Sequence, residues 1–334
     1  MRVPEAEHIS LAASLTFIAF WTIPICASYT LCLLTVTAAL ALLIRVVVVP
    51  RPALVTIPYS HYCELARWAL DARGVDFVEI KFPVGVHLSF VALLRVMFMI
   101  PRGAADDSAE SFPGSDVEHP GWSLAGARML RRLCAVPCYI DGSGHLQHSS
   151  WAILAQHGFA VDPEHRRVLD HEIGPDVRRI MHQHIFQAGP GVFRGIQGCA
   201  ALEMALFDVL ENAFSVSSTI RTWLGVDGDS VRAASARVRA RIDDASSVLE
   251  ADPFLGSGNG GESFGGADLA FCALVAPLVL PPQYAMGAFT HVLTSEAMPA
   301  EYQALQDELR ATRAGKHVLQ CYERLRAARM SASE

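Results

Sequence analysis

The chain has 334 residues, 51% of them hydrophobic, and carries a formal net charge of −7 from 27 basic and 34 acidic side chains. Two domains with cores of their own fit in that length. Only two lysines, Lys81 and Lys316, accompany arginines scattered among acids, so no basic footprint for nucleic acid is present and no nucleic-acid partner is expected. The eight cysteines (Cys26, Cys32, Cys63, Cys134, Cys138, Cys199, Cys272 and Cys321) form no CxxC pair and no disulfide-framework spacing, which points to reduced thiols. Cys134 and Cys138 lie near His145 and His148, but they flank a Val-Pro at the start of a strand instead of a ligand turn, so no metal is expected.

A short tail, residues 1–8, precedes the most apolar part of the chain. No Asp, Glu, Lys or Arg occurs between His8 and Ile44. Residues 9–49 exceed the roughly 20 residues of one bilayer span, which predicts a transmembrane segment, either one long helix or a tight hairpin broken near Pro24, Ser28 and Thr30. The run is too long for a signal peptide, and its leading flank has two acids against one arginine. Arg45 and Arg51 follow closely, so the positive-inside rule orients the remainder towards the cytoplasm, as a single-pass membrane protein.

Residues 52–158 read as an α/β domain. Ala53 to Pro58 is a short β-rich run ended by proline. A helix follows over His61 to Arg73, with Leu65, Ala66, Ala69 and Leu70 at helical spacing and Gly74 as its stop. Phe77 to Phe82 alternates apolar and charged residues as a second strand. The stretch Leu88 to Ile100 is strongly apolar, a helix lying against the membrane or the domain, and a polar Gly/Pro/Ser-rich insertion follows at about 100–125. Ala135 to Ile140 is a third strand, Asp141 to Gly144 a turn, and His145-Leu146 the return strand. Ser149-Ser150 caps a short helix, Trp151 to His157, stopped by Gly158. The order β-α-β, connection, β-β-α is thioredoxin-like.

Residues 162–330 read as an all-helical domain. Helical patterns cover Glu164 to His184, with a kink or division at Gly174-Pro175, then Ala200 to Phe214 and Val231 to Leu249. In the last of these, Val231, Ala234, Val238, Ile242, Ala245 and Leu249 form one core stripe. Arg178, Arg179, His182 and His184 make a dense polar cluster, expected on a solvated helix face, with the inter-domain cleft as the alternative.

These residues carry a resemblance. Tyr59-Ser-His-Tyr-Cys-Glu-Leu-Ala-Arg-Trp-Ala-Leu70 with Gly74-Val75, and then Val136-Pro137 with Leu146 to Ile153, resemble in order the two N-terminal signatures of the glutathione S-transferase-like family. Gly265 to Leu274, whose Asp268 stands three residues after a glycine cap, Ala276 to Tyr284 and Gly315 to Arg324 resemble its C-terminal pattern. The resemblance implies a thioredoxin-like domain followed by a helical bundle, glutathione as co-substrate, a small hydrophobic electrophile as partner, and room for a homodimer.

By that resemblance Ser60 is the catalytic residue. It sits at a helix N-terminus, where unpaired N–H groups and the dipole favour an anion, and a hydroxyl donating to the glutathione sulfur favours the thiolate. Val136 offers its backbone to the cysteinyl part of glutathione, Pro137 follows a cis bond, and Ser149-Ser150 hold the γ-glutamyl end. Cys63 stands one turn after Ser60 and joins the glutathione-binding set; a lone thiol there cannot close an internal disulfide. The chain departs from the family at Ser149, where an acid is usual, and in its long insertion. The implied function is that of a membrane-anchored glutathione transferase. The alternative is a non-catalytic relative serving as a binding or scaffold protein at the membrane. A thiol oxidoreductase acting through Cys63 ranks third.

Overall fold

The structure is a computed structural model that describes residues 51–88, 90–91, 94, 135–256, 263–294 and 296–326. The expected transmembrane segment at 9–49 and the insertion at about 100–125 lie outside these residues, as do Cys26, Cys32 and Cys134.

Strand β1 (Ala53–Thr56) is fully buried and central. It pairs in parallel with β2 (Val78–Lys81) and antiparallel with β3 (Cys138–Ile140), which pairs antiparallel with β4 (Leu146–Gln147), giving the order β2-β1-β3-β4. Parallel neighbours need a crossover, and helix α1 (His61–Ala72) supplies it. One face of β1 carries Leu54, which packs with Tyr139, with Ala66 and Leu70 of α1, and with Ile153 of α2 (Ser150–Gln156). Ala53 and Val55 point to the opposite face and join the main core with Leu65, Trp68 and Ala69. Helix α1 therefore has no solvated face: every residue from His61 to Leu70 is buried. Helical backbone resumes at His87, and Phe90, Val91 and Leu94 are buried, with Phe90 4.6 Å from the Phe82 ring. Of the two settings expected for this apolar stretch, its described part takes the one against the domain.

The second half is helical among the described residues. Helix α3 (Pro163–Val168) passes through a π turn (Leu169–Ile173) into α4 (Gly174–Ala188). The division expected at Gly174-Pro175 is thus a change of winding, because Pro175 falls in the first turn of α4, where its missing N–H costs nothing. Helices α5 (Pro190–Gly195), α6 (Ala201–Phe214), α7 (Val216–Trp223) and α8 (Gly228–Ala251) follow. The stripe expected on α8 is buried at Ala234, Val238, Ile242, Ala245 and Leu249, and Val231 is partly buried.

Helix α9 (Gly266–Val279) is buried along its whole length and packs on α1. The stretch Gly266–Gly287 is long and apolar enough to cross a membrane, but 83% of it lies inside the protein, which makes it a core helix. Gly265 lacks a capping side chain, so Asp268 does the capping alone. Its Oδ2 accepts from Gly265 N at 3.2 Å, while its Oδ1 accepts from Leu255 N at 2.8 Å. A Cβ on Gly266 would come within 2.6 Å of the carbonyl oxygens of Phe159 and Ala160, so glycine is what lets this helix start against the inter-domain segment. Helices α10 (Thr290–Leu293), α11 (Ala300–Ala311) and α12 (Arg313–Cys321) complete the domain, and a final π turn spans Tyr322–Arg326.

That last turn reaches back to the first helix. Arg326 is 1% exposed and pairs with Glu64 at 3.2 Å and with Asp71. Glu64, 0% exposed, also pairs with Arg67, whose guanidinium holds Glu79 of β2 at 2.7 Å. Thr56 donates to Glu79 at 2.8 Å. Burial alone would raise the Glu79 carboxyl, but the Arg67 guanidinium outweighs it and holds the group down to about 2. Tyr322 stacks on Trp68 at 4.5 Å beside this network. The arrangement explains why α1 can be buried all round and still carry charge: its ions are matched inside the seam between the two domains.

Candidate functional site

The strand register sets the site. Val55 pairs with Cys138 and Tyr139 with Gln147, so the chain leaving β1 towards Ser60, the Val136-Pro137 segment entering β3 and the Ser149-Ser150 pair leaving β4 meet at one end of the sheet. The Val136–Pro137 peptide is cis, as the resemblance implied.

Ser60 is the N-cap of α1, in extended backbone conformation and half-buried. Its Oγ accepts from Cys63 N at 3.4 Å, and its carbonyl accepts from Glu64 N at 2.9 Å. The preceding residue is fixed from the helical domain: Tyr284 Oη donates to the Tyr59 carbonyl at 2.5 Å, and Tyr59 itself is 3% exposed. Burial pushes the Tyr59 hydroxyl well above its ordinary range, so it is a neutral phenol at any physiological pH.

Around this end of α1 the helical domain contributes polar side chains. Arg178 lies over the Tyr62 ring at 6.0 Å, and the His182 ring is 5.8 Å from that of Tyr59. His182 and His184 are 4% and 9% exposed, so the solvated face expected for them is incorrect. They share the stripe of Val177, Ile180, Met181 and Ile185, which turns inward. His182 Nδ1 sits 2.8 Å from the Arg178 carbonyl, and burial depresses its pKa to about 4. Burial, with the Arg178 charge beside it, keeps His61 neutral as well. Arg178 is therefore a standing positive charge acting on Tyr59 and His61, the two residues flanking Ser60, beside the partial charge of the helix N-terminus. Sequence reasoning grouped Arg178 with the two histidines but missed the inward turn; the signal was that His184 falls in step with Val177, Ile180 and Met181.

The expected site residues Cys63, Ser149 and Ser150 are buried. Cys63 is 0% exposed, and burial pushes its thiol up to about 12 in spite of the Ser60 hydrogen bond and the nearby Arg67. It packs as a core cysteine. Ser149 is the N-cap of α2, Ser150 is its first residue, and they are 3% and 0% exposed. Val136 is half-buried and Pro137 buried. Cys138 is likewise enclosed and donates to the Ala135 carbonyl at 3.2 Å.

No protein-family model matches the chain, and no curated protein matches it. Several solved structures are similar at low identity. A glutathione S-transferase III in its apo form is 13% identical, with 81% of this chain and 96% of that one covered and a TM-score of 0.37. Glutathione transferase F7 from Populus trichocarpa is 14% identical, with 80% and 98% covered and a TM-score of 0.37. A glutathione S-transferase from Rhodospirillum rubrum F11 is 14% identical, with 82% and 99% covered and a TM-score of 0.33.

Proposed function

We propose that the chain is a glutathione-transferase-like protein whose Ser60 activates the glutathione thiol for conjugation to a hydrophobic electrophile, at a membrane to which residues 9–49 anchor it. The carrying observation is Ser60 itself, half-exposed at the start of a 12-residue helix, with the Arg178 charge acting on its two chain neighbours, Tyr59 and His61. A thiol bound there loses its proton to solvent. The resulting thiolate accepts a hydrogen bond from Ser60, attacks the electrophilic carbon, forms the C–S bond and expels the leaving group. Backbone groups at Val136 serve the cysteinyl part of the peptide, and the Ser149-Ser150 segment serves its γ-glutamyl end.

The enclosure of Ser149 and Ser150 favours the second reading, a non-catalytic relative that holds a partner or apolar ligand at the membrane. Calorimetry of the full-length chain in detergent micelles with glutathione separates the two, together with conjugation to an activated aryl chloride. The transferase reading expects saturable glutathione binding and, in Ser60→Ala, a rise in the pKa of the bound thiol with turnover reduced about 10- to 100-fold, the loss of one charge-assisted hydrogen bond. No binding at several times physiological glutathione leaves the scaffold reading.

A further inference from the structure

Within the helical half, α9 and α12 bring together a set of side chains that the glutathione chemistry does not use. His317 and Cys321 are one turn apart on α12 and so share a face, and Cys272 faces them from α9. One ligand atom from each of Cys272, His317 and Cys321 lies within 4.8 Å of both others. We propose that these three residues form a zinc site that staples α9 to α12.

The distances suit that ion. Bonds of about 2.3 Å to sulfur and about 2.0 Å to nitrogen set tetrahedral S···N edges near about 3.5 Å. Cys321 Sγ is 3.9 Å from His317 Nδ1, the nitrogen assigned to the metal below, so a shift of about 0.4 Å closes that edge. The outer shell suits it too. Asp268 Oδ1 lies 3.1 Å from His317 Nε2, so the Nε2 proton is given to a carboxylate and the Nδ1 lone pair is the one left for a metal, the carboxylate–histidine–metal arrangement. Asp268 is itself 0% exposed and fixed by Leu255 N and Gly265 N, so the imidazole is held in one orientation.

The donor chemistry narrows the metal. Two thiolates and an imidazole select zinc-class ions over calcium or magnesium, which take oxygen. A divalent ion cancels two thiolate charges, which matters where Cys272 is 0% and Cys321 6% exposed. The edge of Phe254, 6.3 Å from the His317 ring, closes one flank.

The test is metal content. Full-length protein, purified with zinc present and then desalted, is analysed by mass spectrometry for bound metal, alongside Cys272→Ser, Cys321→Ser and Cys199→Ser. Cys199 lies outside the cluster and serves as the thiol control. The expected result is one zinc per chain in the parent and in Cys199→Ser, and a fall of at least tenfold in the two cluster variants, whose circular dichroism shows them folded. If both cluster variants fail to fold, cobalt(II) added to the parent decides: intense visible bands with a thiolate-to-cobalt charge-transfer band are expected. Less than about 0.1 zinc per chain in a parent that also gives no such bands would overturn the proposal, as would a Cys272–Cys321 disulfide found by mass spectrometry under non-reducing conditions.

Discussion

Replacing Arg67 by methionine keeps the unbranched stem and removes the guanidinium, which isolates the charge from the packing. Arg67 is 3% exposed and sits between Glu64 and Glu79, with its Nη2 also 3.4 Å from the Pro58 carbonyl. Its loss leaves Glu79, 15% exposed, with the surface Lys81 at 3.7 Å and Thr56, and leaves Glu64 with Arg326 as its one cation and the Tyr322 hydroxyl at 3.5 Å. Breaking a buried pair by removing one partner costs about 3–5 kcal/mol. For a protein of this size each kcal/mol moves Tm by roughly 2–4 °C, so the expected fall is roughly 6–20 °C. Trp68 and Trp151, both buried, report unfolding by fluorescence in the full-length chain. Adding Glu64→Gln to Arg67→Met should recover part of the loss, because one uncompensated carboxylate is then gone. A loss under about 1 kcal/mol, the value of an exposed pair, would refute the reasoning and mean that water reaches the cluster.

Acid should destabilise the fold before its carboxylates titrate. Burial depresses His182 and His87 to about 4 from an ordinary 6.5, so the unfolded chain binds their protons first. Stability is then full above pH 6.5, falls as pH drops from 6.5 to 4, and loses up to about 3 kcal/mol per histidine. Urea titrations at pH 7.5, 5.5 and 4.0 on the parent and His182→Asn test it; equal acid losses in both would refute the assignment. Below that window Glu79, held down to about 2, adds a further loss as pH falls from 4.5. Gly315→Ala should lower stability by more than the about 1–3 kcal/mol of ordinary overpacking, because its Cβ would strike the Leu309 carbonyl, a backbone group that cannot rotate away; an unchanged Tm would contradict the packing described. Asp176→Ala should cost about 3 kcal/mol, since this 3%-exposed carboxylate ties Arg237 of α8, at 2.7 and 2.8 Å, to Arg179 of α4; denaturant midpoints of Asp176→Ala and Arg237→Ala, the second expected to lose less because its side chain is half in water, measure it.

Local pattern carried much of the fold. The β-α-β order, Gly74 and Gly158 as stops and the α8 stripe follow from periodicity and capping, which are properties of neighbouring residues. The ends of β3 and β4 moved by one to three residues, since a three-residue strand is defined by its partner more than by its own composition. Less of the site was legible. Ser60 as an N-cap could be read from the run that follows it, but the enclosure of Ser149, Ser150 and Cys63 comes from elements far away in sequence. The same holds for Cys272, His317 and Cys321, whose spacing across two helices matches no linear ligand motif. Asp268 was legible as a cap, but its second contact, to His317, was not.

Glu64 and Arg326 stand 262 residues apart, and their pairing orders events during synthesis. The first helix leaves the ribosome carrying a carboxylate whose second cation has not yet been made. Until the final turn emerges, the thioredoxin-like half can collapse around β1 but keeps Glu64 and Asp71 short of a partner at its future seam. Emergence of the turn Tyr322–Arg326, not completion of the α/β half, is therefore the step that seals this seam, and a chain cut a few residues before Arg326 would leave an open joint there.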